Sequence, residues 1–464
     1  MYTRKIVAAI LLSGVCGVYA AEQPLAPPAL TLENQAIPPA SHQPARELSK
    51  PLDSNTLTLA DATRLVLANN PELQVFRWRS QAIDGKRQTA ELRPAYELSA
   101  VAENIAGSGD SSGLDNAELT LALSSIIELG GKRSFRSSLF DSRYELLQAE
   151  QQVKALDLLG AVTQGFIATL SLQQKVAVAQ EAVQLANQSY GLVSTRVKRG
   201  AAPQAERLRA EATLTQAKMQ HTAIVSELES QKFALASLWK ADRVTFKRTD
   251  GDLFNFIDPA DFDSLYQRVV ASPTIQIFAS EERVRAAEID LARSQSASDV
   301  RWGFGVRRLE ATGDTAIIGE IAVPLFSKRR NRGVVQSAVA DREVVQYQRE
   351  ASLLAVRARL FQAWTTYQHS ADAARQMRSE VLPTLEKALA QTRQAYEQGR
   401  YSYVDWVTAQ RDLLDARLKA IDAATTALLN QALIEQLTAE PLAADLLSTS
   451  SPQTFNKSVA SPQR

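Results

Sequence analysis

A segment that occurs twice constrains this chain most. The stretch from Tyr396 to Val407 has a weaker copy from Val197 to Leu208, and the glycines at their centres, Gly399 and Gly200, stand 199 positions apart. In both copies a long helical pattern runs into the glycine, breaks, and resumes after a carboxylate six positions on, Asp405 or Glu206. Glycine takes the left-handed conformation that closes a helix, and Ser402 or Pro203 lies where a new helix would start. Each copy reads as the tip of a helical hairpin. Two tips mean two hairpins and a duplicated chain.

Upstream of the tips the two halves keep the same order. From Leu57, Thr58 and Asp61 offer a helix cap before Ala62, Leu65, Val66 and Leu67; the pattern stops at Asn70-Pro71 and resumes to Arg93. Phe262, Leu265, Val269 and Val270 lead likewise to Ser272-Pro273 and a second helix ending near Arg293. The period then switches from helical to alternating. Tyr96, Leu98, Ala100 and Ala102, then Leu119, Leu121 and Leu123, flank a flexible loop from Gly107 to Gly113. The second copy has Trp302, Phe304 and Val306, a turn near Gly313, then Ile317, Ile321, Val323 and Leu325. Each half supplies one β-hairpin with strands about ten residues long, which suits an outer-membrane barrel strand. A hairpin covering a soluble core is the other reading. Four strands cannot close a barrel, so in a membrane several chains must share one.

Each hairpin empties into a basic turn, Gly130 to Arg133 or Lys328 to Arg332, and then into a very long helix. From Lys132 to Arg199 there is no proline, and a helix of that length reaches roughly 100 Å. Spacings of seven support coiling: Val176, Val183, Tyr190 and Val197; Leu382, Leu389, Tyr396 and Tyr403; and, on the return, Val407, Leu414, Ile421 and Leu428. Tips this short make the helices antiparallel neighbours. Pro383 kinks the second-half helix or breaks it.

The first residues have the form of an export signal: Arg4 and Lys5, an apolar run from Ile6 to Val18, then Ala20 at a small-residue cleavage site. An uncleaved anchor is the alternative, and the run is short for a bilayer. The only cysteine, Cys16, lies inside this signal, where Val15 and Ser13 do not match a lipid-attachment motif. Cleavage after Ala20 leaves no thiol for disulfides, metal sites or catalysis. Removing Arg4 and Lys5 from the 52 basic residues leaves 50 against 51 acidic ones, with no basic block, so nucleic acid is not an expected partner. No later stretch has 18 uninterrupted apolar residues, so further membrane insertion must use strands. The three histidines, His42, His221 and His369, have no partner at catalytic or metal-ligand spacing, and Met219 and Met377 offer no soft cluster. Neither glycine-rich segment is a phosphate loop. No enzyme, cofactor or metal site is expected.

These boundaries give a signal at 1–20, an extended proline-rich arm at 21–56, a first repeat at 57–239, a linker at 240–260, a second repeat at 261–440 and a disordered tail at 441–464. The duplicated unit and the glycine-plus-six carboxylates resemble the TolC-like outer membrane efflux proteins. The stretch from Ile126 to Arg136 resembles the strand-to-helix junction of their CzcC-like branch, which serves heavy-metal cation pumps. The resemblance implies a mainly α fold of duplicated antiparallel helical hairpins forming an α-barrel, with four strands contributed to a twelve-stranded β-barrel of a homotrimer in outer-membrane lipid. It also implies a periplasmic adaptor and an inner-membrane RND transporter at the tips, an entrance or gate near Asp405, Tyr396 and Glu206, and partner contacts at Arg199, Gly200, Gly399 and Arg400.

Two readings of the carboxylates stand side by side. Three copies of Asp405 converging on an axis would attract cations and resist joint burial. Equally, Asp405 and Glu206 sit near the start of a returning helix, where the dipole favours negative charge. For the whole chain, a metal-cation export duct stands beside a duct for drugs or polypeptides and a pore-less periplasmic coiled-coil adaptor. The two full hairpin copies argue against the last.

Overall fold

The computed structural model describes residues 55–440, apart from 106, 107, 110–112 and 259. The signal, the tail, the arm up to residue 54 and the middle of the first hairpin loop lie outside the described residues.

A two-residue strand β1 (Thr56–Leu57) precedes α1 (Leu59–Asn69) and α2 (Pro71–Ala90). Thr58 caps α1, its hydroxyl accepting from the Asp61 amide at 3.2 Å. Asn70 ends α1 and caps α2: its side chain accepts from the Glu72 amide at 2.8 Å and donates to the Leu238 carbonyl at 2.8 Å. Strands β2 (Glu97–Glu103) and β3 (Glu118–Ile127) follow, then the 67-residue helix α3 (Lys132–Lys198) and its return α4 (Gln204–Ser237). After β4 (Arg248–Thr249) the second copy runs through α5 (Phe262–Val270), α6 (Pro273–Ser294), β5 (Val300–Leu309) and β6 (Asp314–Ala322). One turn, α7 (Ser327–Arg330), leads into α8 (Arg332–Gln376), α9 (Leu382–Glu397) and the return α10 (Tyr403–Thr438).

Between α8 and α9 the chain stays helical through a π turn, Met377–Val381. Pro383 has no N–H and its ring crowds the preceding turn, and a wider turn just upstream relieves that conflict. The interruption expected at Pro383 takes this form.

The strands make one four-stranded antiparallel sheet in the order β2-β3-β5-β6. Each hairpin pairs internally, and β3 joins β5 over ten residues, Glu118 opposite Leu309 through Ile127 opposite Val300. Strand β6 ends at Ala322, so Val323 and Leu325 lie beyond it. Alternate residues face opposite sides. One face carries Leu98, Leu121, Leu123, Phe304, Ile317 and Ile321, all exposed, with Arg308 its one charge.

The helical body is centred on α3 and α10, which pack on each other; α3 also packs on α1, α2, α4 and, across the halves, α6, and α10 on α5, α8 and α9. One core lies in the first half around Val66, Val162, Phe166, Leu235 and Trp239; a second lies around Leu265, Val269, Leu360, Tyr367 and Ile434. A third joins the halves through Ile167, Leu170, Ile421 and Leu428. Helix α3 contains one stretch apolar and long enough to cross a membrane, and half of that stretch is buried. Residues 240–260 pack across the helices as a strap. Strand β4 pairs in parallel with β1, Leu253 is buried, Gln173 exchanges two hydrogen bonds with Thr249 at 2.7 and 3.1 Å, and Trp364 donates to the Ala260 carbonyl at 3.1 Å.

The lines spaced by seven are buried in part, and a second line beside each is buried with them. On α10 Trp406, Leu413, Ala420, Ala427 and Ile434 are buried; of the Val407 series, one residue on, Ile421 and Leu428 are buried and Val407 and Leu414 half-buried. On α3 Ala179, Ala186 and Val193 are buried, while Val176, Val183, Tyr190 and Val197 are half-buried beside them. Two adjacent lines of α10 are buried because the helix has neighbours on several sides, α3, α8 and α9. A buried polar pair crosses the α3–α10 seam, Gln410 donating to the Ser189 hydroxyl at 2.9 Å.

Candidate functional site

Both tips close in the same way. After α9, the Arg400 amide donates to the Ala395 carbonyl at 2.9 Å and the Gly399 amide to Tyr396 at 3.0 Å; after α3, Ala201 donates to Arg196 at 2.8 Å and Gly200 to Val197 at 3.0 Å. These paired bonds are Schellman closures, which require a left-handed residue; Gly399 and Gly200 supply it with φ of 74° and 72°.

The returning helices start at the expected caps, Pro203 and Ser402. Helix α4 begins at Gln204 and α10 at Tyr403, so Glu206 and Asp405 occupy the third helical position. There the two carboxylates diverge in use. Asp405 closes a capping box: it accepts from the Ser402 amide at 3.0 Å and hydroxyl at 2.7 Å, while its own amide donates to the Ser402 hydroxyl at 3.3 Å. Those bonds hold the exposed Asp405 carboxyl below its usual range, so it is ionised at neutral pH. Glu206 instead reaches across to the other tip and accepts from the Tyr396 hydroxyl at 3.3 Å.

Tyr396 is 2% exposed, and a cluster of Val193, Ala210, Tyr403 and Trp406 surrounds it. Its ring stacks on Trp406 with centroids 5.0 Å apart and meets Tyr403 edge-on at 6.4 Å. Arg196 covers the ring at 4.7 Å and donates to the Tyr396 carbonyl at 2.6 Å. Burial, with the Glu206 carboxylate adding to it, pushes the Tyr396 phenol up to about 12, so the hydroxyl remains a donor at physiological pH. The cluster fastens the end of the second hairpin to the end of the first.

Of the residues singled out in the sequence, the structure brings Tyr396 and Glu206 together. Asp405 bonds only with Ser402 in this region, and Arg199, Gly200, Gly399 and Arg400 are exposed on the tip turns. The sequence reading missed Arg196 and Trp406. A basic residue in the last turn of a helix is ordinary, so nothing marked Arg196 as reaching across. Trp406 was legible as a large aromatic at the start of the helix that returns from the second tip. Among the described residues no three His, Cys, Asp or Glu side chains are grouped to hold a metal ion.

The family model described as outer membrane efflux protein matches in two blocks, residues 62–239 and 265–440. The cobalt-zinc-cadmium resistance protein CzcC of Cupriavidus metallidurans is 27% identical over 364 residues, 78% of this chain and 85% of that protein. The nickel-cobalt-cadmium resistance protein NccC of Alcaligenes xylosoxydans xylosoxydans is 25% identical over 269 residues, 58% of this chain and 60% of that protein. The crystal structure of CusC superposes with a TM-score of 0.68 at 15% identity, covering 85% of this chain and 95% of the other. The two matched blocks, the long paired helices and the four-stranded sheet lead to one conclusion: the chain belongs to the TolC-like outer membrane efflux protein family, non-enzymatic channels of the outer membrane.

Proposed function

We propose that three copies of this chain close one twelve-stranded barrel and that the duct conducts heavy-metal cations delivered by an inner-membrane RND pump and its periplasmic adaptor. The observation that carries this reading is the two-sided sheet. Its apolar face has the polarity of a lipid-facing surface, and its edges β2 and β6 have unpaired backbone groups that a bilayer does not tolerate. The opposite face carries Glu97, Glu103, Glu118, Asp314 and Glu320 against Arg301 and Arg307. Arg307 pairs with Glu118 at 2.9 Å and Glu103 at 3.5 Å, and the remaining excess is acidic. Repeated around a closed lumen, that excess concentrates cations.

At the periplasmic entrance, Tyr396 and Glu206 act as the latch between hairpins, and the ionised Asp405 adds an acidic ring. Arg199 and Arg400, with the glycines beside them, offer the exposed turns that an adaptor would grip. Similarity to CzcC and NccC supports metal cations as cargo, because those proteins are named for resistance to cobalt, zinc, cadmium and nickel.

The test is loss of the chain in its own host. Sensitivity to cobalt, zinc and cadmium salts should rise, with tolerance of dyes and antibiotics unchanged. The reverse pattern would assign the duct to organic cargo. In planar bilayers, the heat-modifiable trimer should prefer K+ over Cl−, and Asp405→Asn should reduce that preference; an unchanged reversal potential would remove Asp405 from the ring.

A further inference from the structure

The glycine-rich junction between β3 and α3 has structural work for most of its residues. A side chain at Gly130 would meet Ala297 Cβ at 2.6 Å, so the turn can pass the end of α6 only as glycine. Lys132 pairs with Asp299 at 2.7 Å, and Asp299 also accepts from the Leu129 amide at 3.1 Å. Arg136 grips Glu128 with two bonds of 2.6 and 2.8 Å. Arg133 is left over. It has no hydrogen bond or ion pair among the described residues, and neither does Arg93, just ahead of β2.

Both arginines line an open cavity of about 710 Å³ at the helix end of the sheet. The acids there are already engaged, Glu128 by Arg136 and Glu91 by Arg87 at 3.2 Å, so the two guanidiniums are uncompensated. The opposite wall is Tyr96 and Trp302, edge to face with centroids 6.4 Å apart, both on the apolar side of the sheet. Beyond them that side continues as exposed Leu98, Leu123, Phe304 and Ile321.

A cationic cavity, an aromatic pair and then a strip of apolar strand surface follow one another as headgroup, interface and acyl chain do in a bilayer leaflet. We propose that this cavity is a phospholipid site in which Arg93 and Arg133 hold the phosphodiester and the apolar face of β2, β3 and β5 carries the acyl chains. The inference rests on the barrel reading, which puts the helix end of the sheet at the periplasmic surface of the membrane. Barrel closure takes place in the plane of the sheet, through the edges of β2 and β6, and leaves this outer face toward lipid. A free phosphate could satisfy the arginines but would leave the aromatic and apolar wall without a function.

Native mass spectrometry of the full trimer, extracted in mild detergent and incubated with a defined phosphatidylethanolamine and phosphatidylglycerol mixture, reads the site. Wild type should retain phospholipid after delipidating activation, and Arg93→Gln/Arg133→Gln should retain about tenfold less. Trp302→Ala should lose lipid while leaving any binding of inorganic phosphate unchanged. Equal lipid retention by the double-arginine variant would overturn the proposal. So would lipid retention that inorganic phosphate competes away and that Trp302→Ala leaves intact, which would make this a free-anion site. The heat-modifiable trimer and its conductance are recorded alongside: a wild-type chain that forms no such trimer would bring down the barrel reading, which the lipid counts alone cannot do.

Discussion

Tyr396 offers the sharpest test of the tip cluster, because it touches both hairpins at once. If the entrance widens by separating the tips, the Tyr396 contacts with Arg196 and Glu206 break on opening and stabilise only the closed state. Tyr396→Phe removes one hydroxyl bond, long at 3.3 Å, to a half-buried carboxylate. Such a bond contributes about 1 kcal/mol, so the open-to-closed ratio should rise about fivefold. Tyr396→Ala also removes the Arg196 contact at 4.7 Å and the ring's packing beside Val193 and Ala210 of the first hairpin, at a site only 2% exposed. Emptying such a site costs about 3 kcal/mol or more, which corresponds to more than a hundredfold change. Single-channel recordings in planar bilayers give the ratio directly, and a double-mutant cycle with Glu206→Gln isolates the hydroxyl contact. An open-to-closed ratio within twofold of wild type in both variants, with no coupling in the cycle, would refute the latch. A change seen in Tyr396→Ala alone would assign closure to the ring and not to the bond.

Three further predictions concern stability and assembly. Burial raises the Glu435 carboxyl from its ordinary value of 4.5 to about 7, against a bond from Gln431 at 3.1 Å. The folded chain therefore binds the proton more tightly than the unfolded one, and stability falls as pH rises from 4.5 to 7. Allowing for its partial exposure, the loss is about 2 kcal/mol; Glu435→Gln should abolish this slope in thermal melts, and a parallel slope in the variant would discount the residue. Gly305 faces the Leu121 carbonyl so closely that an added Cβ would stand 2.6 Å from its oxygen and 2.7 Å from Ala122 Cβ. Gly305→Val should therefore disrupt the β3–β5 pairing by about 2 kcal/mol or more and reduce heat-modifiable trimer on gels, while normal trimer yield would contradict the register. Arg136→Ala strands the half-buried Glu128 and should destabilise the chain by about 2 kcal/mol in denaturant titrations, with Glu128→Gln/Arg136→Ala recovering part of that loss. No recovery would show that the arginine acts through packing alone.

The sequence by itself determined the local features. Gly200 and Gly399 announce helix closure because a left-handed residue is needed there, and Thr58 and Ser402 announce helix starts because their side chains can satisfy free amides. The alternation around Leu119 to Leu123 and Phe304 marks two-faced strands, since successive side chains point to opposite sides. All of these signals arise within a few residues of chain, and their recurrence in two copies exposed the duplication. What only the tertiary structure decided lies between distant segments. The pairing of β3 with β5, the parallel pairing of β1 with β4 and the strap from 240 to 260 join residues whose neighbours carry no mark of one another. The α3–α10 seam is one such case: periodicity showed one line repeating every seven residues on the return, Val407 to Leu428. Folding buried a second line, Trp406, Leu413 and Ala420, beside Ile421 and Leu428, because α10 has neighbours on more than one side. The tip cluster is another. Tyr396 and Glu206 were visible singly, whereas Arg196 became significant only when folding laid its guanidinium over a ring 200 positions away. Local backbone preference is written in the chain; the choice among equally local partners belongs to packing.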